Sequence, residues 1–154
     1  MKMGLRWFGE GYDTVSLEKI RQVPGVSGVI TTLYGAMPGE DWEKEEILAL
    51  KQKVEDAVLE ILGIESVNVH DDIKVGLPTR DMYIDNYIQT MRNLKEFGVK
   101  VICYNFMPVF DWTRTDLFHP LPDGSTALYY QKDLIQDDPK AMADYIMQNL
   151  HGMT

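Results

Sequence analysis

The sequence is poor in the residues that build disulfides and metal sites. Cys103 is the only cysteine in 154 residues, so no internal disulfide can form, and we expect a reducing compartment. The three histidines, His70, His119 and His151, lie far apart, without the close spacing of a metal-binding strand or helix. Spacing therefore predicts no metal ligand in this chain.

Long apolar segments and excess positive charge are also missing. No apolar run approaches the ~18 residues that span a bilayer, and residues 1–7 lack the apolar centre of a secretory signal. The formal net charge of -9 disfavours binding to phosphate backbones. We therefore expect a cytoplasmic protein that binds neither membrane nor nucleic acid.

What remains is the composition of an ordinary globular protein, with 45% hydrophobic and 25% charged residues. Its length suits one compact domain, so we predict a single α/β domain over residues 1–154. No G-x-G-x-x-G motif or P-loop is present, so the sequence carries no nucleotide-binding signature.

Hydrophobic periodicity predicts four β/α units within residues 1–117. The expected strands are residues 3–8, 26–33, 64–69 and 101–106. The helices between them are expected to begin after caps at Ser16 and Asp41 and near Asp81, with the second helix continuing to Leu62 and closed by Gly63. Strict alternation implies parallel pairing with right-handed crossovers, so the choice lies between a doubly wound sheet and part of a (β/α)8 barrel.

The sequence after residue 117 changes in character. Asp123-Gly124 is a turn signal between two short extended pieces and predicts a small β-hairpin within residues 118–133. Apolar residues at helical spacing then predict a terminal helix over residues 138–150.

Two strand ends carry groups that could bind a ligand. Polar and aromatic side chains crowd the end of the fourth strand, a set suited to holding a polyhydroxylated acid, although such residues can equally form a packed lid. His70, followed by Asp71 and Asp72, ends the third strand, where α/β folds place their sites. A histidine there can instead be structural, and the aspartates can cap a following turn.

Three separated motifs carry a resemblance to a known family: residues 6–9 (Arg-Trp-Phe-Gly), residues 64–74 and residues 103–117. Over about residues 3–130 they resemble mannonate dehydratases of the hexuronate pathway. The resemblance implies a fold similar to the xylose-isomerase-like barrels, of which this chain would supply about four of eight β/α units, a half-barrel with the hairpin and a C-terminal helix.

The family dehydrates D-mannonate to 2-keto-3-deoxy-D-gluconate in glucuronate catabolism with a divalent metal, usually Mn²⁺ or Fe²⁺. The resemblance places the metal ligands and principal acid-base residues in the second half of that barrel. We therefore expect a truncated lyase that has little activity alone.

The resemblance also implies a substrate-facing set. Its arginines would pair the substrate carboxylate, histidine, asparagine and tyrosine would bond hydroxyls, and tryptophans would form an apolar wall, although each residue could instead be scaffold. The set comprises Arg6, Trp7, His70, Tyr104, Asn105, Asp111, Trp112 and Arg114.

Two alternatives stay open at this point. One is a catalytically inactive half-barrel that self-associates through its open strand edges, as a homo-oligomer, or requires a companion chain. The other is a sugar isomerase or epimerase of the same barrel superfamily.

Overall fold

The computed structural model describes residues 1–106 and 114–134, together with residues 138, 140, 141 and 144. The chain divides into two compact units, Met1–Pro108 and Val109–Thr154. The first unit is built on a four-stranded parallel sheet whose strands lie in chain order. They are β1 (Met3–Arg6), β2 (Val26–Thr31), β3 (Glu60–Asn68) and β4 (Ile102–Asn105).

Helices connect each strand to the next. They are α1 (Leu17–Arg21), α2 (Lys44–Asp56), the single-turn α3 (Asp71–Lys74) and α4 (Arg80–Glu96). A doubly wound sheet reverses its strand order at a switch point, whereas this order runs from β1 to β4 without reversal. The structure therefore confirms consecutive β/α units of the barrel type. Among the described helices, none has the length and apolar character that crossing a membrane requires.

Helix packing on one face of the sheet forms the core. Ser16 caps α1 as expected, its hydroxyl accepting from the Lys19 N–H at 3.4 Å. Two clusters of buried side chains lie between sheet and helices. The first contains Trp7, Leu17, Ile20, Val29, Val54, Ala57 and Leu59, and the second contains Trp42, Ile47, Ile64, Val67 and Leu94.

The boundary between α2 and β3 differs from the sequence prediction. The helix ends at Asp56, and β3 begins at Glu60. Val58 adopts a left-handed conformation with φ 59°, and the N–H of Leu59 donates to the Val54 carbonyl, which closes the helix. The apolar residues that follow therefore enter the sheet, and Gly63 lies within β3 instead of ending a helix.

The predicted Asp41 cap is wrong. The helix α2 starts at Lys44, two residues after Trp42, because the backbone of Trp42 is bonded to α4. Its N–H donates to Thr90 Oγ1 at 3.0 Å, and its carbonyl accepts from Asn93 Nδ2 at 2.8 Å. These bonds hold the end of the loop before α2 against α4.

The second unit contains an antiparallel hairpin, β5 (Asp116–Pro120) and β6 (Thr126–Tyr129), followed by a short 3₁₀ helix, Lys132–Leu134. The predicted turn is present: Gly124 has φ 83°, and Asp123 Oδ1 accepts from the Ser125 N–H and hydroxyl at 3.0 and 2.7 Å. The terminal helix expected over residues 138–150 lies almost entirely outside the described residues.

Candidate functional site

The sheet face opposite the helices of the first unit, called the open face below, carries two glycines and several polar groups. A Cβ at Gly28 would lie 2.2 Å from the Glu60 carbonyl oxygen, and one at Gly4 would lie 2.4 Å from Leu62 Cδ1. Leu62 therefore occupies the space above both glycines. The open face includes Gly4, Arg6, Gly28, Ile30, Leu62, Glu65, Asn68, Cys103 and Asn105.

Arg6 is the most constrained polar residue of the open face. Its Nε lies 2.9 Å from Glu65 Oε2, which links β1 to β3 across β2. Nη1 donates to the carbonyls of Trp7 at 2.8 Å and Ile30 at 3.2 Å, and the guanidinium lies 4.6 Å from the centre of the Phe8 ring. These bonds use Nε and Nη1 of the guanidinium.

A β-bulge at Ser66 joins three strand ends. Ser66 has φ 69°, and the pairing of β3 with β4 shifts between Glu65 and Val67. Asn105 Nδ2 donates to Ser66 Oγ at 3.1 Å, and Thr32 Oγ1 lies 3.5 Å from the Ser66 carbonyl. The carboxyl ends of β2, β3 and β4 are thereby tied together through one residue.

His70 follows β3 and caps α3. Its Nδ1 accepts from the Asp72 N–H at 3.1 Å, so the cap is His70 and not the aspartates after it. The imidazole stacks on Tyr83 of α4, with ring centres 3.6 Å apart and planes inclined by 15°. His70 and Tyr83 also line one small cavity with Ser66 and Asn68, which places this ring pair beside the bulge.

Tyr104 and Asn105 lie on opposite faces of the sheet. Tyr104 is paired with the buried Val67, on the helix side, and Asn105 with Asn68. Partial burial and the nearby Tyr104 together raise the pKa of Tyr87, a residue of α4. Tyr104 therefore belongs with the helix layer, whereas Asn105 shares the open face with Arg6.

Trp7 lies in the core and is only 4% exposed. Its backbone N–H donates to the Ile30 carbonyl at 2.9 Å, and its side chain belongs to the first buried cluster. This placement supports a structural role for Trp7 rather than a role as an apolar wall of the binding site.

The remaining sequence-predicted residues are Asp111, Trp112 and Arg114. Asp111 and Trp112 are outside the described residues. Arg114 is in the second unit, where it is half-buried just before β5. The structure therefore brings Arg6 and Asn105 to one face, with His70 beyond the strand end, and the roles proposed for all eight residues stay predictions.

Sequence reasoning missed Glu65 and Tyr83. Glu65 is a single acidic residue within an apolar strand, a signal that its side chain faces away from the core. Helical spacing places Tyr83 on the apolar side of its helix and gives no indication that it stacks on a histidine.

The donor set for a metal ion is incomplete in the part of the chain that the structure describes. Over these residues, no three side chains among His, Cys, Asp and Glu gather closely enough to hold one. The described residues alone do not fit a metal centre.

Fold and site together define a (β/α)-barrel type of protein whose polar groups lie at the carboxyl ends of parallel strands. The family model described as D-mannonate dehydratase (UxuA) matches residues 1–154. The chain belongs to this family, and the resemblance carried by the three motifs is confirmed.

Individual mannonate dehydratases are also similar to this chain in sequence and in structure. The chain is 61% identical over 153 residues to the mannonate dehydratase of Thermotoga neapolitana, covering 99% of this chain and 42% of that protein. It is 56% identical over 153 residues to that of Brachyspira hyodysenteriae, covering 99% and 43%. The crystal structure of mannonate dehydratase from Streptococcus suis serotype 2 superposes with a TM-score of 0.85 at 52% identity, covering 97% of this chain and 43% of that one. The chain thus spans about two fifths of the length of these relatives.

Proposed function

We propose that this chain forms the N-terminal, substrate-binding part of a mannonate dehydratase that converts D-mannonate to 2-keto-3-deoxy-D-gluconate in the cytoplasm, in glucuronate catabolism. The observation that carries the proposal is 61% identity to a mannonate dehydratase over 99% of the chain. The polar open face supports it, because fixed donors at strand ends suit a polyhydroxylated acid.

Arg6 is proposed to bind the substrate carboxylate. Three anchoring oxygens and the Phe8 ring already hold its guanidinium, so little side-chain entropy remains to be lost when a carboxylate reaches Nη2. Asn105 is proposed to bond a hydroxyl of the same ligand, and its hydrogen bond to Ser66 Oγ supports this by holding the side chain. The chain's contribution is therefore binding and orientation.

We propose that the dehydratase reaction requires a divalent metal, Mn²⁺ or Fe²⁺, which would act as the Lewis acid near the acid oxygens. The described residues do not by themselves form a donor set for that metal.

The test begins with the purified chain. Calorimetric titration should show saturable binding of D-mannonate, and the C2 epimer D-gluconate is the matched control. Equal heats for both acids, or none for either, would contradict a mannonate-specific binding face.

Turnover is tested in a chimera in which this chain replaces the matched segment of the Thermotoga neapolitana protein. With Mn²⁺ or Fe²⁺ added, the chimera should release a 2-keto acid from D-mannonate. A folded but inactive chimera, beside an active parent, would count against the proposal. Isomerase or epimerase activity, the remaining enzymatic alternative, would instead appear as rearrangement of a sugar without loss of water.

A second candidate is self-association through the sheet edges. The strands β1 and β4 form the edges of the four-stranded sheet in the described structure, and Leu5, Val101 and Phe106 are exposed at or beside them. Unpaired edges with apolar side chains favour pairing with another copy. Light scattering should then give more than the monomer mass of 17.7 kDa, and Leu5→Lys should return it to the monomer. A monomeric wild-type chain would refute this candidate.

A further inference from the structure

Among the described residues, only Val58 and Ser66 have positive φ without being glycine, with values of 59° and 69°. In this left-handed region a side chain crowds its own backbone, so residues with a Cβ are uncommon there. Glycine adopts the same conformation without crowding. Each of these two side chains therefore occupies a position where glycine would be less strained.

Val58 makes its local contacts through the backbone. It follows α2, its side chain is 71% exposed, and its N–H donates to the Glu55 carbonyl at 2.8 Å. Any residue except proline could make that bond. The described hydrogen bond at position 58 therefore does not depend on the side chain.

Ser66 differs from Val58, because its side chain makes a specific contact. Ser66 is half-buried, and its Oγ accepts from Asn105 Nδ2 at 3.1 Å. Its carbonyl lies 3.5 Å from Thr32 Oγ1, a contact that glycine could keep. Glycine could not replace the hydroxyl. Strained backbone that persists beside a candidate binding site is an observation from which a functional role can be inferred.

Asn105 lies where a side chain needs support. It is the last residue of β4, an edge strand of the described sheet, and the next residue, Phe106, is 52% exposed. The terminal torsion of an asparagine side chain is broad, so an amide without a partner would sample several orientations. The bond to Ser66 on β3 restricts that torsion, and a restricted side chain loses less entropy when it meets a ligand.

We propose that Ser66 is a positioning residue: its hydroxyl holds the Asn105 amide in the orientation that binds the sugar acid, and the strained backbone is retained for that hydroxyl. This rests on the proposed role of Asn105 in binding D-mannonate. Ser66 acts through Asn105 and not by contact with the ligand. Binding should therefore follow the hydroxyl, whereas stability should follow the Cβ.

Two substitutions separate the hydroxyl from the strain, because Ser66→Gly and Ser66→Ala both lack Oγ and only alanine keeps the Cβ. Calorimetric titration with D-mannonate should give a Kd raised about fivefold in both variants, as for one side chain that must be ordered on binding. In urea unfolding, Ser66→Gly should have a higher midpoint than Ser66→Ala. Wild-type affinity in Ser66→Gly would overturn the positioning role.

A double-mutant cycle tests whether Ser66 acts through Asn105. Asn105→Ala removes the amide, so adding Ser66→Gly should leave the Kd within about twofold of that of Asn105→Ala alone. A further loss as large as that of Ser66→Gly in the wild-type chain would mean that the two residues act independently, and the inference would be wrong.

The matched control is Val58→Gly, which relieves positive φ at a position without a hydroxyl contact. Its urea midpoint should rise, and its Kd for D-mannonate should stay at the wild-type value. An unchanged midpoint would contradict the strain on which the inference depends.

The Asn105 side-chain amide provides a measurement without ligand. In ¹⁵N–¹H spectra of the wild-type chain, one Nδ2 proton should be shifted by its bond to Ser66 Oγ, and in Ser66→Gly it should return to the position of a solvated amide. An identical amide signal in both chains would overturn the inference. If the wild-type chain binds no D-mannonate, the proposed function fails, whereas this spectrum still shows whether Ser66 holds Asn105.

Discussion

The two faces of the parallel sheet differ in what their side chains do. On the helix side, Val29 and Ile64 are completely buried and lie within apolar clusters. On the open face, Arg6 and Glu65 form a partly exposed ion pair, and Leu62 covers Gly4 and Gly28. Because successive side chains of a strand alternate between faces, the same short segments supply both core and candidate site. Stability and binding should therefore respond to different substitutions in neighbouring positions.

The largest effect is expected from Leu94→Ala on the helix side. Leu94 is fully buried in the second cluster, so truncation removes apolar contacts and leaves a cavity, at a cost of about 2–5 kcal/mol in the free energy of unfolding. Urea unfolding measures it. Met91→Ala, on the same helix but at a position 40% exposed, is the matched control and should cost less than about 1 kcal/mol. Equal losses would mean that the helix side is not the main core.

Gly28→Ala tests the close approach on the open face. Its Cβ would meet the Glu60 carbonyl oxygen at 2.2 Å, and backbone cannot move aside as a side chain can. We expect a loss of about 1–3 kcal/mol in the free energy of unfolding. Gly63→Ala provides the comparison, since its Cβ would lie 3.4 Å from the nearest atoms of Val101. If Gly28→Ala proved as stable as Gly63→Ala, β2 and Leu62 would not pack as described.

Arg6→Lys should separate binding from stability. Lysine lacks the planar fork that contacts Glu65 and two carbonyls at once, so the donor facing the ligand is no longer held in place. We expect the Kd for D-mannonate to rise about tenfold, with unfolding changed by less than about 1 kcal/mol. Arg21→Lys, an exposed change at the end of α1, should leave both unchanged. Retained affinity in Arg6→Lys would remove Arg6 from the proposed binding set.

The smallest effect concerns Tyr104 and tests which face it occupies. Burial and the neighbouring Tyr104 raise the pKa of Tyr87 above its ordinary value of 10.0, so folding favours the protonated phenol. The unfolded chain therefore loses this proton first, and stability falls as pH rises through 10.0. In Tyr104→Phe, the pKa of Tyr87 should move part of the way back, as measured by ultraviolet titration of tyrosinate. No shift relative to wild type would place Tyr104 away from the helix layer.

Much of this fold follows from local patterns. The Ser16 cap, the long helix near residues 81–97 and the Asp123-Gly124 turn depend on neighbouring residues only, and each is present to within a residue or two. The resemblance to mannonate dehydratases could also be found from the sequence, because its three motifs are continuous segments of the chain. These segments fall at strand ends near the candidate site.

The boundary before β3 could not be predicted, because its apolar pattern imitates a helix. Ile61, Ile64 and Val67 all pack on the helix side, three residues apart. In a regular strand such residues would be two apart, but β3 has one extra residue opposite β2 and another, Ser66, opposite β4. Just before these residues, Val58 and Leu62 continue the helical spacing from Val54, so periodicity extends the predicted helix to Leu62, past the start of β3 at Glu60.

The residues that contact Arg6 and His70 could not be predicted from the sequence either. The Glu65 contact with Arg6 spans 59 positions in sequence, and the stacking of His70 on Tyr83 depends on how α4 packs against β3. Such contacts arise from tertiary packing, so residue type and spacing contain no signal for them.

The bulge at Ser66 determines which face of the sheet each later residue of β3 occupies. With this extra residue, Val67 faces the helices and Asn68 reaches the open face. Deleting Ser66 would leave the composition of the strand almost unchanged but would turn Val67 outward and Asn68 into the core. The position of His70 depends on the same count, because it follows Asn68 by two residues. In this chain, deletion of one residue within β3 should therefore disturb the core and the candidate site more than a substitution there. The deletion would move every later side chain of the strand to the opposite face of the sheet.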